Sequence, residues 1–543
     1  MASTSAVAPA SCSPNPHSPD CGFLPAYGPP SHITPAACFA LFVLILANLF
    51  NMLDRQIVSI LAQAIKGDLH LGDADLGFLL GTAFAVFYSV VGIAMGRISD
   101  FISRKRMLSF GLLLWSVMTA LGGASTSFVT LSGARIGVGV GEAVANPCSH
   151  SMLSDAFPTR NRSLALGTYL TGTFLGGTFA MFLGGYFLQH WKDLCTSLPI
   201  AGACHLPGWK AALVAAGLPG IPLALLALAI REPARKRQSE HGVLRIIARE
   251  ISAALPPFTL IILHRLAGRV GVMRNLALAA AIVVVAGLLV LVTGDIAQWV
   301  AFGLGAYAVV TWGQVQSYGD RPLFRLTFGD PTFTQSTITV ALMACIVGVP
   351  TAWAAPLAMR TYKAAPAQVG LGLGLVMTAG AVFGVIAGGW LTDRWKRTDP
   401  RAPMLTTAIT LVGIIPSITL MAIAPTIGWF FVGVFFQSMF SALWSGGIAA
   451  MIQDLVIPRM RGAAAASQSL VAIVIASGLG PYWTGKVSAM TGSLRVGMFS
   501  ILALVPFAII MLRMTARNLA KETPEGRMTL AVAVGEVALQ GAP

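Results

Sequence analysis

Charge is scarce in this chain. Of its 543 residues only 10% are Asp, Glu, Lys or Arg, while 55% are hydrophobic and the mean hydropathy is +0.75. Soluble domains carry roughly a quarter charged residues, so a water-solvated globule is excluded and an integral membrane protein is indicated. Catalytic signatures are lacking as well: there is no HExxH, no nucleophile with a matched histidine and no appended soluble domain of useful size. An enzyme or a membrane sensor finds no support, and neither a cofactor nor a metal is expected. Residues 1–35 contain no Lys or Arg and so lack the charged start of a secretory signal. Rich in Pro, Ser and Ala, they read as a disordered cytoplasmic tail.

Apolar stretches of about 20 residues, enough to cross roughly 30 Å of hydrocarbon as a helix, recur along the chain. Fourteen are counted, near 37–65, 74–97, 107–124, 128–153, 163–190, 209–230, 275–293, 296–317, 334–358, 367–391, 403–423, 427–452, 463–490 and 494–514. The bases follow the orientation rule for membrane loops. With a cytoplasmic N-terminus, 27 of the 36 Lys and Arg lie on the cytoplasmic side. Seven lie opposite (Lys66, Lys192, Lys210, Arg360, Lys363, Lys486 and Arg495), and Arg55 and Arg135 stand inside segments. Both termini of this multi-pass cell-membrane protein are thus expected in the cytoplasm. The formal charge of +15 is topological and calls for no nucleic acid. Cys195 and Cys204 share one loop on the opposite, oxidising face, where a disulfide is one reading and two free thiols the other.

An internal repeat organises the chain. GRISDFISRKRM (Gly96 to Met107) follows the second segment and GGWLTDRWKR (Gly388 to Arg397) follows the segment at 367–391, so Gly96 and Asp100 recur 293 residues later as Gly389 and Asp393. Asp155 with Arg162, in DAFPTRNRSLALG, recurs 299 residues later as Asp454 with Arg461, in DLVIPRMRGAAAA. Two parallel six-helix halves, 36–230 and 318–515, explain this, and such repeats around a central cavity are a transporter architecture. Between them lie a basic cytoplasmic linker, 231–274, and an inserted transmembrane hairpin, 275–317, turning at Thr293, Gly294 and Asp295. The linker stretch VLRIIAREISAAL keeps Leu244, Ile247, Ile251 and Leu255 at helical spacing, as a helix on the inner leaflet would. A cytoplasmic tail, 516–543, closes the chain.

Two soluble-enzyme patterns are set aside. GPYWTGK (Gly480 to Lys486) has phosphate-loop spacing but no following Ser or Thr, and it lies in a membrane helix rather than after a strand. GVGVG (Gly137 to Gly141) lies inside the fourth segment, where small residues let helices approach.

The informative charges are the buried ones. NMLDRQIVSIL places Asp54 and Arg55 inside the first segment, and ARIGVGVGEAVANP places Arg135 and Glu142 on one face of the fourth, about two turns apart. A charge at mid-membrane costs at least ~2.5 kcal/mol on insertion scales, so such residues face the bundle interior and pair. Asp54 and Arg135 lie roughly 6 and 7 Å outward of their segment centres, at 1.5 Å per residue, level enough to pair. Glu142 sits near the midplane. A carboxylate that can exchange an arginine for a proton is a proton carrier; the plainer reading is an ion pair that fixes helix packing.

GRISDFISRKRM resembles the signature loop of the major facilitator superfamily, and RIGVGVGEA with DAFPTRNRSLALG resembles its fourth-helix region. Together with NMLDRQIVSIL and GLGP (Gly478 to Pro481), the match is closest to the Spinster-like subfamily, over most of residues 36–515. Ser103 stands where the loop usually has glycine, TDRWKRTDP keeps only the acid, and fourteen helices replace twelve. The resemblance implies an all-α fold of two rocking bundles, proton-linked roles for Asp54 and Glu142, and anion-facing roles for Arg55 and Arg135. It also implies a cytoplasmic latch from Asp100, Arg104 and Arg106 with Asp155, steadying the outward-facing state.

Uncharged cavity candidates are Asn146 and Ser149 on the Glu142 face, Gln437, Ser441 and Trp444 at helical spacing, and Gln468. The expectation is a monomeric, proton-coupled secondary transporter among membrane lipids, moving an amphipathic or anionic organic solute, lysolipid- or sphingolipid-like by resemblance. A small organic acid or a drug is the alternative cargo. Polar groups confined to the Asp54, Arg55 and Glu142 end would favour the amphiphile; polar groups all round would favour the small acid.

Overall fold

The computed structural model describes residues 32–99, 102–197, 203–232, 258–457 and 460–533. Fourteen long helices run through the described residues, labelled in chain order. The first half holds α1 (Pro35–Asp68), α2 (Asp73–Gly96), α3 (Arg104–Gly122), α4 (Phe128–Ala156), α5 (Leu164–Ser197) and α6 (Gly208–Leu228). Next come α7 (Thr259–Thr293) and α8 (Ile296–Gly319). The second half holds α9 (Pro331–Tyr362), α10 (Pro366–Lys396), α11 (Ala402–Ile423), α12 (Ile427–Ile448), α13 (Arg461–Thr491) and α14 (Leu494–Leu519). All but α3 are long and apolar enough on average to cross a membrane; α3 has 19 residues, and the bases Arg104, Lys105 and Arg106 occupy its first turn.

Local chemistry sets the helix starts. The Thr34 hydroxyl accepts the Ala37 N–H at 3.1 Å ahead of Pro35, and the Asp330 carboxylate accepts the Phe333 N–H at 2.8 Å ahead of Pro331. Both combine an N-cap acceptor with a proline at a position whose N–H would be orphaned anyway. Ser127 and Thr130 exchange side-chain to backbone bonds at the start of α4. Two irregularities fall near the site: a π-helical turn, Phe78–Thr82, widens α2, and α4 breaks just after Glu142 before resuming at Ala145.

An even number of crossings brings α1's start and α14's end to one side, the terminal end; the α1–α2 turn marks the far end. The halves join in the far half of the molecule, where glycines let backbones nearly touch. A Cβ on Gly81 of α2 would lie 2.1 Å from the Ser477 carbonyl of α13, and one on Gly370 of α10 would lie 2.2 Å from the Met181 carbonyl of α5. Polar contacts cross the same region: Ser59 donates to the Ala352 carbonyl, Thr178 to the Gly374 carbonyl, and the Ala367 N–H to Gln189.

The hairpin starts earlier than hydropathy suggests. Helix α7 spans Thr259–Thr293 but is broken at Gly268, whose φ of 61° and ψ of −154° are non-helical. Arg265 lies before that break and Arg269 and Arg274 after it, so bases assigned above to the linker stand in helical backbone on the terminal-end side. The stretch 243–255 expected as an inner-leaflet helix lies outside the described residues, as does most of the tail 1–35. The expected tail after 515 is partly built into the fold. Past α14 a short helix, Pro524–Val532, follows, and its buried Arg527 pairs with Asp330 at 2.9 Å and Glu522 at 2.8 Å.

Candidate functional site

Helices α1, α2 and α4 assemble a charge cluster beside the space between the halves. The Arg55 Nε donates to Glu142 Oε2 at 2.7 Å, closing a bridge from α1 to α4. Glu142 is fully buried, whereas the Arg55 side chain keeps 21% of its surface exposed. The Arg55 guanidinium also lies over the rings of Phe84 and Tyr88, 4.8 and 4.4 Å from their centroids. Those faces attract a cation most where it is partly desolvated. The Arg135 guanidinium also lies over Phe84, 5.4 Å from its centroid.

The expected Asp54–Arg135 ion pair is not what forms. The Arg135 Nη1 donates to the main-chain carbonyl of Asp54 at 3.0 Å. Among the described residues no cation pairs with the Asp54 carboxylate, and its Oδ1, 1% exposed as a residue, has no hydrogen-bond partner. Equal depth on two helices brought the residues together, but the direction of the arginine fork selected the backbone. Glu142 Oε1, Arg55 Nη2 and Arg135 Nε are likewise buried without a hydrogen-bond partner. The cluster therefore holds spare donors and acceptors, unusual where unmet polar groups are costly.

Two cavities adjoin this cluster. One, of about 260 Å³, is lined by Arg55, Arg135, Phe84, Ser59, Gly348 and Ser477 among others. The second, of about 320 Å³, is lined by Met52, Phe174, Met181, Met377, Thr378 and Ser441 among others. Gln56 and Thr351 line both. Charge is thus confined to one cavity, while thioethers, a phenyl ring and scattered hydroxyls surround the other.

At the far end a second cluster ties the halves together. The Asp73 carboxylate receives both terminal nitrogens of Arg360, at 2.7 and 2.6 Å, the Ser488 hydroxyl at 2.6 Å, and the Lys66 ammonium. Arg360 Nε donates to Gln63 at 2.9 Å. Asp73, Lys66 and Gln63 belong to the first half, Arg360 and Ser488 to the second.

Comparison with known proteins fits this architecture. Residues 44–258 match the Major Facilitator Superfamily. Over 458 residues the chain is 27% identical to an MFS-type efflux pump of Mycolicibacterium smegmatis, covering 83% of this chain and 84% of that protein. Over 473 residues it is 24% identical to protein spinster homolog 1 of Xenopus tropicalis, covering 82% and 72%. The crystal structure of a bacterial homolog of the human lysosomal transporter Spinster, inward-facing and unoccupied, has the same fold at a TM-score of 0.69 and 22% identity, covering 90% of this chain and 99% of that one. The family model and these relatives together support a transporter of the major facilitator superfamily. Within it, the chain lies close to the Spinster-like group, and it is a transporter with Spinster-like and efflux-pump homologues.

The superfamily's signature residues sit at the terminal end. Asp100 lies outside the described residues. Arg104 is fully buried and donates to Asp155 at 2.6 Å, to Ser151 at 2.9 Å and, through Nε, to Glu232 at 3.0 Å. Glu232 also accepts the Arg104 N–H and the Ser103 hydroxyl. Burial raises the Glu232 pKa, but those donors outweigh it and hold the carboxyl below its ordinary value. Gly96 lies in the last turn of the second helix, which runs on to Ile98; Arg106 and Asp393 are exposed, and Arg162 and Arg461 stand at the starts of α5 and α13. Asp454 pairs with Lys396 within the second half.

Of the six uncharged cavity candidates, Ser441 lines the larger cavity. Asn146 instead donates to the Tyr88 hydroxyl at 3.1 Å and receives the Tyr169 hydroxyl at 3.3 Å. Gln437 is buried and donates to the Val347 carbonyl and to Thr351. Trp444 packs in the core with its N–H on the Ser441 carbonyl at 2.9 Å, and Gln468 is buried away from both cavities, as is Ser149. Glu232, Asp73 and Arg360 escaped the sequence reading because each stands at a segment end, where charge is ordinary. Gln56 and Thr351 escaped because a neutral polar residue in a membrane helix carries little signal. Cys195 and Cys204, expected either bonded or free, are joined as a disulfide with Cα atoms 5.4 Å apart.

Proposed function

We propose that this transporter is proton-linked and moves an anionic amphiphile by alternating access. The observation that carries the reading is the Arg55–Glu142 bridge at the wall of a cavity that Arg135 also lines, with Asp54 buried directly behind. An incoming anion can draw Arg55 off Glu142, and the freed carboxylate then needs a proton where no solvent screens it. Anion and proton thus occupy the site together. When the anion leaves, Arg55 returns to Glu142 and the proton departs.

The division of the cavities supports the class of cargo. A headgroup bearing carboxylate or phosphate suits the two planar guanidiniums, which pair with two oxygens of such a group in bidentate fashion. An alkyl chain suits the neighbouring Met52, Met181, Met377 and Phe174, whose flexible thioethers adapt to irregular shapes. The loop charges favour a cytoplasmic terminal end; on that reading the closed far end makes this an inward-facing state. The partner implied at each turnover is one small molecule and at least one proton, with no second subunit.

Reconstituted liposomes test the proposal. Imposing a proton gradient across them should drive movement of single-chain anionic lipids and leave their neutral analogues largely unmoved. A panel of such lipids and small organic acids with no gradient-dependent movement would refute it.

A further inference from the structure

The inserted hairpin has no counterpart in the repeat. The apolar window of α7 has no buried residue, so its partner, α8, carries whatever the hairpin contributes. Helix α8 is bound along its length to α13. Trp312 Nε1 donates to Ser467 at 3.0 Å near one end. Near the other, Asp295, just before α8, receives the Tyr482 hydroxyl and the Lys486 ammonium, each at 2.7 Å. Val86 and Val90 of α2 also pack on Ala308 of α8, but those contacts are apolar and most of the hydrogen bonds of α8 to the two halves run to α13, so by hydrogen bonding the hairpin is tied to the second half.

One residue of α8 reaches across. Gln298, 2% exposed, accepts the Thr82 hydroxyl of α2 through Oε1 at 2.7 Å and donates Nε2 to the Gly478 carbonyl of α13 at 2.8 Å. Thr82 also reaches the Gly478 carbonyl, at 2.6 Å. This knot sits where α2 and α13 cross, at the π-helical turn that contains Gly81 and Thr82 and opposite Pro481. That proline cannot donate to the Ser477 carbonyl one turn earlier, so the crossing is the least regular backbone in both helices. Opening the far end must separate Thr82 from Gly478 and, because α8 stays with α13, Thr82 from Gln298.

We infer that Gln298 is a positioning residue for the transport cycle: it makes the hairpin a clasp over the α2–α13 seam and favours the far-end-closed state. The inference rests on the alternating-access reading. In the bound state two side chains and one carbonyl share their hydrogen bonds inside a dry crossing, the one Thr82 proton divided between Gln298 Oε1 and the Gly478 carbonyl; in the open state the Thr82 link is gone, while the Gln298–Gly478 bond persists. Only the first is state-dependent, so only it shifts the equilibrium.

The test is a distance distribution across the far end, measured by double electron–electron resonance between nitroxides at His70→Cys and Ala365→Cys in the full-length protein in lipid. The wild-type chain should give a short and a long population. Gln298→Leu and Thr82→Val should each raise the long population about three- to tenfold relative to the short one, the weight of one net hydrogen bond. Thr82→Ser, which keeps the hydroxyl, should behave as wild type. In the Thr82→Val background Gln298→Leu should add nothing further, a non-additivity that a general packing defect would not give. Two populations in wild type with both variants unchanged, or with fully additive shifts, would overturn the clasp and leave alternating access standing. A single population in every condition would overturn both.

Discussion

Asp73→Asn is the sharpest perturbation of the far-end cluster. The substitution keeps the shape of the side chain and removes its charge, so Arg360 loses a paired carboxylate and Ser488 a charged acceptor. Of the Asp73 contacts only these two cross between the halves; Lys66 lies on the same side as Asp73 and does not count toward opening, and the Arg360–Gln63 bond does not involve Asp73. Breaking a buried pair costs about 3–5 kcal/mol. The Arg360 side chain is 26% exposed and Asp73 6%, so water recovers part of that, and about 3 kcal/mol is a reasonable figure. It corresponds to a shift on the order of 100-fold toward the far-end-open state. The readout is labelling of a cysteine placed at Ser59, at the wall of the smaller cavity, by a membrane-impermeant maleimide applied from the far side. Labelling should rise steeply in Asp73→Asn and in Arg360→Gln, and the double variant should not exceed either single one by much. A far-side labelling rate in Asp73→Asn equal to wild type would refute the reasoning.

Three further outcomes are expected. Arg135→Gln should weaken binding of an anionic amphiphile at least about tenfold, the weight of one charge-assisted hydrogen bond, and leave a neutral analogue of the same chain length nearly unchanged in a thermal-shift titration. Glu232→Gln should lower thermal stability at neutral pH by about 1–2 kcal/mol. Because the folded-state pKa of Glu232 is depressed, its contribution is present above the ordinary glutamate range and fades as pH falls through the lower folded value. Melting curves of variant and wild type should therefore converge in acid, and a constant gap down to pH 3 would count against it. Thiol titration of the unreduced, denatured chain should find five of the seven cysteines, since Cys195 and Cys204 are bonded; seven would exclude the disulfide.

Much of the charge cluster was legible in the sequence because a charge in an apolar segment is expensive and must be answered by another. Asp54, Arg55, Arg135 and Glu142 stand out on that ground alone, and the fold gathers all four. Their pairing was not legible. Depth along a helix fixes which residues are level, but the choice between the Asp54 carboxylate and its carbonyl depends on side-chain direction. The far-end cluster shows the opposite limit. Asp73 and Arg360 are 287 residues apart, each at the end of an apolar run where solvent normally satisfies a charge. Trp444 shows a third: helical spacing puts it in line with Gln437 and Ser441, yet one face of a membrane helix can meet a cavity at Ser441 and the core a turn later. The helical backbone ahead of the apolar run of α7 was not legible because hydropathy falls at Arg265, Arg269 and Arg274, while the backbone there stays helical apart from the break at Gly268.

The central claim is that Glu142 changes partner, from Arg55 to a proton, each time cargo passes. The direct measurement compares wild type with Glu142→Gln in the same liposomes, following cargo uptake under an imposed pH gradient and cargo exchange with no gradient. The account predicts that Glu142→Gln loses gradient-driven accumulation while retaining exchange. Accumulation at the wild-type level in Glu142→Gln would contradict it.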